Sequence, residues 1–209
     1  MQRMQARQML RPSVALCGFV LLVAACTAPE VLDPRPANVP VNVDLSGHWL
    51  IREDLSADDR QLYEAIRRTD GVNDRDIFRR RSRTEADEML RRSSDDRVKG
   101  GLVDVFLETG KSLQVTQTEY GLFISFDRAV VEEYRFGENR MVNVGEVQAQ
   151  RVTGWEGGEL VVETLDRNRM KLTERYRLVD GGKTLERTIV LRSKEGETET
   201  LVQKFGKAP

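Results

Sequence analysis

The stretch WEGGELVVET, residues 155–164, decides the fold of this chain. Its adjacent glycines, Gly157 and Gly158, supply the positive φ angles of a two-residue type I′ turn between two extended segments. The pattern predicts a β-hairpin, and VDGGKT at residues 179–184 predicts a second hairpin of the same kind. From Lys111 to Phe205, apolar and polar residues alternate between turn signals at a spacing of roughly ten residues, which predicts an antiparallel meander.

Further strands are predicted on both sides of the hairpins. Residues 46–52 predict the first strand, and others are predicted at 113–117, 122–126, 130–136, 147–155 and 201–205. The total is about eight or nine strands, enough for a closed or nearly closed up-and-down barrel. A strongly twisted open sheet packed against helices is the alternative, because sheets of this size often stay open. The predicted fold class is mainly β.

A charged insert, residues 52–110, separates the first strand from the meander. Its residues 52–99 include 13 acidic and 13 basic side chains. Ser56 with Asp59, and Thr84 with Asp87, predict the starts of two helices. Residues 102–108 fit either a helix or a strand, and we favour the helix. The insert is therefore predicted to be partly helical.

The first 25 residues are typical of a secretory signal peptide. Arg3, Arg7 and Arg11 form a positive amino-terminal region, and residues 14–25 follow as an uncharged, mostly apolar run too short to span a bilayer. The sequence LVAAC, residues 22–26, resembles the motif at which bacterial lipoproteins are cut before an alkylated cysteine. This resemblance implies that mature Cys26 carries acyl chains that anchor the protein in a membrane.

Residues 26–44 are predicted to form an acylated, extended tether, because they contain four prolines. Thr27 follows the cysteine at the position where an aspartate would imply retention in the inner membrane. The resemblance to sorted lipoproteins therefore implies the outer membrane, on the side that faces the periplasm.

The composition excludes several activities. The 184 residues after the signal peptide hold 30 basic and 34 acidic side chains, a net charge of −4, so nucleic acid is not an expected partner. The run RRRSR, residues 79–83, could form an anionic-lipid or nucleic-acid patch. The balanced charge around it favours a solvated insert instead.

Few residues are available for catalysis or metal binding. Past Cys26 the chain has no cysteine, and His48 is its single histidine, so thiolate and His-pair metal sites are excluded. A lone histidine beside a core tryptophan is more often structural than catalytic. Since phosphate-loop and nucleophile motifs are also missing from the sequence, we expect no cofactor and no enzymatic activity.

Several segments resemble a family of uncharacterised exported bacterial proteins with lipocalin-like sheets. They are LSGHW at 45–49, LQVTQ at 113–117, the hairpin at 155–164, KLTERY at 171–176 and LERTI at 185–189. The resemblance covers nearly the whole mature chain and implies a fold without a known activity. Gly47-His48-Trp49 also matches the Gly-x-Trp of lipocalins, which implies that Trp49 fills one end of the barrel.

Pairing across the second hairpin predicts charged residues on the inner face of the sheet. A two-residue loop at 181–182 places Tyr176 opposite Arg187, with Glu174 as a diagonal neighbour of Arg187. The first hairpin places Arg151 on the apolar side as well. One interpretation is a polar patch that binds a ligand headgroup. The other is a self-satisfied ion pair that fixes strand register or closes a barrel end.

Two classes of function remain. The domain could bind a small amphipathic or lipid-like molecule, or it could be an envelope scaffold that contacts another protein or the cell wall. The sequence favours binding, because barrels of about eight strands can hold one small ligand. It does not indicate a particular protein partner.

Overall fold

The computed structural model describes residues 29–70, 102–127, 131–144 and 147–209. The predicted signal peptide, Cys26, Thr27, the run at 79–83 and the helix start at Thr84 lie outside these residues. The described chain is mainly β, and its strands are β1 (Gly47–Ile51), β2 (Ser112–Gln117), β3 (Gly121–Phe126), β4 (Val131–Arg135), β5 (Asn139–Val144), β6 (Val147–Glu156), β7 (Glu159–Asp166), β8 (Lys171–Val179), β9 (Thr184–Arg192) and β10 (Thr198–Lys207).

The helices are α1 (Asp59–Asp70) and α2 (Leu102–Phe106), with short 3₁₀ turns at Glu53–Leu55 and Asp180–Gly182. Among the described residues, no helix combines the length and the apolar character needed to cross a membrane.

All ten strands form one antiparallel sheet in the order β4-β3-β2-β1-β10-β9-β8-β7-β6-β5. The two edge strands, β4 and β5, follow each other in the chain, so the sheet curls round until its edges approach. No ladder joins these edges within the described residues, but Arg140 Nη2 of β5 donates to the Glu133 carbonyl of β4 at 3.0 Å. The fold is therefore a curled, incompletely closed barrel, which lies between the two predicted alternatives.

The register of the first glycine hairpin is confirmed. Arg151 lies opposite Thr164 in the β6–β7 ladder. Gly157 and Gly158 have φ angles of 58° and 88°, as a type I′ turn requires.

The second hairpin keeps the predicted register but not the predicted turn. Tyr176 lies opposite Arg187, whereas the ladder already ends at the pair Val179 and Thr184. The loop has four residues, 180–183, because Asp180 as well as both glycines adopts a positive φ. The prediction of a two-residue turn was therefore wrong, although the pairing that followed from it was correct.

The predicted count of eight or nine strands was too low, and β5 is the strand that was missed. Its sequence, NRMVNV at residues 139–144, has only weak alternation, and its side chains are exposed or half-buried. An edge strand has a neighbour on one side only, so packing demands little of its sequence.

The charged insert is helical where it is described. The prediction that Ser56 and Asp59 cap the first helix was wrong, because the Ser56 hydroxyl donates to the Lys204 carbonyl. Instead, the Gln61 N–H donates to Asp58 Oδ1 at 2.7 Å, and the Asp58 N–H donates to Gln61 Oε1 at 2.9 Å. The helix favoured at 102–108 is confirmed by α2, which ends at Phe106.

Two buried clusters of side chains lie inside the sheet. The first lies at the hairpin end, the end that holds the turns at 157–158 and 180–183, and it contains Leu45, Trp49, Trp155, Leu185 and Phe205. The second lies at the helical end, the opposite end, where α1 and α2 pack over β6 to β10, and it contains Leu62, Ala65, Phe106, Leu172 and Ile189.

The first part of the segment 29–44 lies along the outer face of the sheet, and its later residues Val39 and Val43 pack against the buried cluster of the hairpin end. Leu32 is buried against this face, and Arg35 Nη2 donates to Glu163 Oε2 at 2.6 Å. A glycine is needed at Gly154, because a Cβ there would lie only 2.4 Å from the Pro36 carbonyl oxygen. Much of the predicted tether is therefore packed against the domain.

Candidate ligand site inside the barrel

Charged side chains meet on the inner face of the sheet. Side chains alternate between the two faces of a strand, so residues two apart share a face. Arg151 of β6, Glu174 and Tyr176 of β8, and Arg187 of β9 are all buried among inward-facing neighbours. The structure therefore places all four predicted residues inside, where they form two groups centred on the two arginines.

The Arg187 group is self-satisfied. Arg187 has no exposed surface, and its Nε and Nη2 both donate to Glu174 Oε1, the first at 3.0 Å. Its Nη1 donates to Gln203 Oε1 at 3.0 Å, and Tyr176 Oη donates to Glu174 Oε1 at 2.8 Å. Phe126 covers the guanidinium at 4.6 Å. Every nitrogen of this guanidinium has a partner within the protein.

The Arg151 group is less complete. Arg151 is 6% exposed, and its Nε donates to Thr164 Oγ1 at 3.2 Å. Its Nη1 lies 3.5 Å from Glu132 Oε2, an oxygen that also accepts a hydrogen bond from Tyr134 Oη. The guanidinium lies 5.1 Å from the ring of Phe106 in α2. In the described part of the chain, Nε is the one nitrogen of Arg151 with a hydrogen bond.

Burial dominates the electrostatics of the two tyrosines. Burial raises the pKa of Tyr134 well above its ordinary value, and the negative charge of Glu132 raises it further. Burial likewise raises the pKa of Tyr176. Both hydroxyls therefore stay protonated and can serve as donors at neutral pH.

Arg187 stays charged despite its burial. Burial alone would lower the pKa of Arg187, but its interactions with Tyr176 and Glu174 outweigh that effect and raise it. Within the described ranges, no group of three or more His, Cys, Asp or Glu side chains is placed to hold a metal ion.

Sequence reasoning missed three inward polar residues, Glu132 and Tyr134 of β4 and Gln203 of β10. No hairpin joins β4 to β6, so no local pairing could place Glu132 beside Arg151. Gln203 lies directly opposite Arg187 in the β9–β10 ladder. Pairing across the turn at 193–197 could have located it.

Trp49 is buried with no exposed surface, at the hairpin end of the sheet. Its Nε1 donates to the Leu45 carbonyl at 3.1 Å, and Lys207 Nζ lies 5.4 Å from its ring. A lysine thus covers this tryptophan, and Arg187 lies over Phe126 instead.

A second, shallower site lies on the outer face of β3 and β4. It is a groove of about 280 Å³ lined in part by Tyr120, Phe123, Glu133 and Arg135. Tyr120 is 74% exposed and Phe123 is 38% exposed. The groove is open and faces away from the inner charged groups.

Comparisons with known proteins give remote likenesses only. No protein-family model matches the chain, and no curated protein does. Secretory abundant heat soluble protein 4 from Ramazzottius varieornatus aligns with a TM-score of 0.47 and 14% identity, over 79% of this chain and 95% of that chain.

Two further solved structures are similar to the same extent. Zebrafish ileal bile acid-binding protein complexed with cholic acid aligns with a TM-score of 0.44 and 15% identity, over 78% of this chain and 98% of that chain. Lipid binding protein 8 of Caenorhabditis elegans aligns with a TM-score of 0.46 and 12% identity, over 78% of this chain and 94% of that chain. None of these likenesses assigns a ligand to this chain.

Proposed function

We propose that this protein is an exported lipoprotein, held in the outer membrane by acyl chains on Cys26 and facing the periplasm. Its β domain binds one small amphipathic molecule and catalyses no reaction. The acidic headgroup of that molecule, a carboxylate or a phosphate, binds to Arg151 inside the barrel.

The binding proposal rests on a difference in hydrogen bonding between the two buried arginines, Arg151 and Arg187. A buried charge is costly unless it is paired and hydrogen-bonded. Arg187 meets this condition through Glu174 and Gln203. Arg151 is almost as deeply buried, yet among the described residues its polar contacts are one hydrogen bond to a neutral hydroxyl and one carboxylate at 3.5 Å. An anionic headgroup would add acceptors, since a guanidinium binds carboxylate and phosphate with two parallel hydrogen bonds.

The surroundings of Arg151 suit an amphipathic molecule. Phe106 of α2 lies on one side of the guanidinium, and the apolar cluster of the helical end begins there. A ligand with its headgroup at Arg151 would place its tail among these side chains. Tyr134 Oη, which donates to Glu132, lies at the same group and could turn to the ligand.

A purely structural role for Arg151 is the competing explanation. Arg151 and Glu132 come from β6 and β4, whose strands share no ladder, so their ion pair links the two sides of the gap. In that case Arg151 closes the barrel and binds no ligand. The two roles differ in whether loss of the charge changes binding, stability or both.

The test uses a dansyl-labelled fatty acid and its alcohol analogue, titrated against the purified protein. We expect the acid to bind more tightly than the alcohol, and Arg151→Met to weaken binding of the acid by about 10- to 100-fold while leaving the alcohol unchanged, because hydrogen bonds to charged groups contribute about 1.5–3 kcal/mol. Arg140→Met is the matched control, because it also removes a contact across the gap but lies on the surface.

The binding proposal is wrong if the wild-type protein binds neither probe, or if Arg151→Met binds both as the wild type does. If neither probe binds and only stability changes, the gap-closing role is correct. The exposed groove at Tyr120 and Phe123 would then favour the alternative function, a scaffold that contacts another envelope component.

A further inference from the structure

The point at which the amino-terminal segment reaches the sheet is fixed. Glu30 accepts a hydrogen bond from Arg192 Nη2 at 2.7 Å. Two residues later, the Leu32 N–H donates to Gln150 Oε1 at 2.8 Å, and the Leu32 side chain is buried. Arg192 is the last residue of β9, so the segment meets the sheet at the helical end.

Little chain separates this point from the proposed anchor. Cys26 precedes Glu30 by four residues, which span at most about 14 Å when fully extended. By comparison, β6 has ten residues, and a strand of that length extends over roughly 34 Å. An anchor at Cys26 therefore keeps the helical end near the bilayer and leaves the hairpin end a full strand length away.

The charge around this point suits anionic lipid. The turn between β7 and β8 carries Arg167 and Arg169, both exposed, and neither has a carboxylate partner in the described part of the chain. Arg167 donates to the neutral amide of Gln148. The hydrogen bond from Arg192 lowers the pKa of Glu30, and Lys171 and Arg169 lower it further, so Glu30 lies among cations. Asp166, at the start of the turn, accepts hydrogen bonds from the Asn168 and Met170 N–H groups, and the turn residues 166–169 keep a net positive charge.

The neighbouring turn differs in charge. The β9–β10 turn carries Glu195 and Glu197 with Lys194, so it would be repelled by the phosphates of an anionic bilayer. Of the two turns, the β7–β8 turn is thus the one suited to contact headgroups.

We propose that the β7–β8 turn, with Arg167 and Arg169, lies against the headgroups of the bilayer that holds the acyl chains of this protein. The partner is an anionic phospholipid surface, recognised by its phosphates. The domain consequently stands with α1 and α2 towards the membrane and with its glycine hairpins away from it. This inference rests on the proposed acylation of Cys26.

The test places one fluorophore at each end of the full-length acylated protein, reconstituted in vesicles of phosphatidylglycerol and phosphatidylcholine. Asn168→Cys labels the β7–β8 turn, and Lys183→Cys labels the opposite hairpin as the matched control. A nitroxide attached to the lipid headgroup quenches fluorophores that lie at the membrane surface. We expect quenching at residue 168 to be at least about twofold stronger than at residue 183, because residue 183 lies at the far end of the domain, roughly a strand length of 34 Å from the membrane surface.

The contribution of the arginines is measured in the same system. The double variant Arg167→Gln with Arg169→Gln should show weaker quenching at residue 168. With both arginines in place, quenching at residue 168 should also be weaker in vesicles of phosphatidylcholine alone. Arg175→Gln, in the middle of β8 and away from the β7–β8 turn, is the control and should change nothing.

Three results would overturn the inference. Equal or stronger quenching at residue 183 would show a different orientation. If quenching at residue 168 is the same after replacement of both arginines and the same in vesicles of phosphatidylcholine alone, the turn does not recognise phosphates. An unmodified Cys26, detected by the mass of the amino-terminal peptide, would refute the anchor and this inference together, whereas acylated protein with the wrong quenching pattern refutes the orientation alone.

Discussion

Replacing Arg187 with methionine keeps a long apolar side chain beneath Phe126 but removes the positive charge beside Glu174. The arginine contributes two hydrogen bonds to Glu174 Oε1 and one to Gln203 Oε1. After the replacement, one hydrogen bond to the carboxylate remains among the described residues, the one from Tyr176 at 2.8 Å. Glu174 is only 3% exposed, so its carboxylate would then be a buried charge without a positive partner.

The expected cost is large because one partner of a buried pair is left alone. Such changes destabilise by about 3–5 kcal/mol. For a domain of this size, where each kcal/mol shifts the midpoint by about 2–4 °C, the melting temperature should fall by roughly 6–20 °C. Urea unfolding followed by tryptophan fluorescence would measure it, because both tryptophans, Trp49 and Trp155, are buried.

The double variant Glu174→Gln with Arg187→Met provides the control. It removes both charges, so its cost should be smaller than the sum of the two single variants by at least about 1 kcal/mol, as for residues in one network. Our assignment would be refuted if Arg187→Met unfolded at the same urea concentration as the wild type. It would also be refuted if the single costs simply added, since the two side chains would then not be coupled.

Three further predictions concern other parts of the chain. Trp49→Ala should cost about 3–5 kcal/mol, because a large buried ring is removed, whereas a melting temperature unchanged within a degree or two would place the ring at the surface. Cys26→Ser should abolish incorporation of radiolabelled palmitate, and label that persists would contradict acylation at this residue. Burial raises the pKa of Glu163, but hydrogen bonds from Lys171 and Arg35 outweigh it and lower the pKa below its ordinary value. This carboxylate therefore stabilises the fold at pH values above the pKa of its unfolded state, about 4.3, and this stabilisation is lost as the pH falls further. Arg35→Met should make the acid-induced loss of stability smaller. An unchanged pH profile of stability would show that the contact between Arg35 and Glu163 does not stabilise the fold.

Local pattern was enough to predict most of the sheet. Period-two alternation and glycine pairs place the strands and their faces, and the pairing of Tyr176 with Arg187 follows from them. The pattern failed where packing makes few demands, as in the exposed edge strand β5. The pattern also failed at the start of α1, where two pairs of residues have the spacing of a helix cap. The cap is formed by Asp58 and Gln61. Ser56 and Asp59, which the sequence predicted, do not form it.

The candidate site was predicted in part, as far as local pairing across short hairpins allows. Arg151, Glu174, Tyr176 and Arg187 lie on strands joined by short hairpins, so counting from the turns shows that they face inward. Their grouping could not be predicted in this way. Glu132 of β4 contacts Arg151 of β6 across the gap between the two edges of the sheet. This contact depends on how strongly the whole sheet curls.

The sequence by itself determined the meander, the inward position of the charged residues and the motif at Cys26, because alternation, turn chemistry and the signal motif are all properties of neighbouring residues. Only the tertiary structure decided that Arg187 is paired with Glu174, whereas Arg151 contacts Thr164 and Glu132 among the described residues. It alone also placed Leu32 and Arg35 on the outer face of the sheet. These contacts join residues far apart in the chain, and their distances follow from the curl of ten strands, which no local pattern encodes.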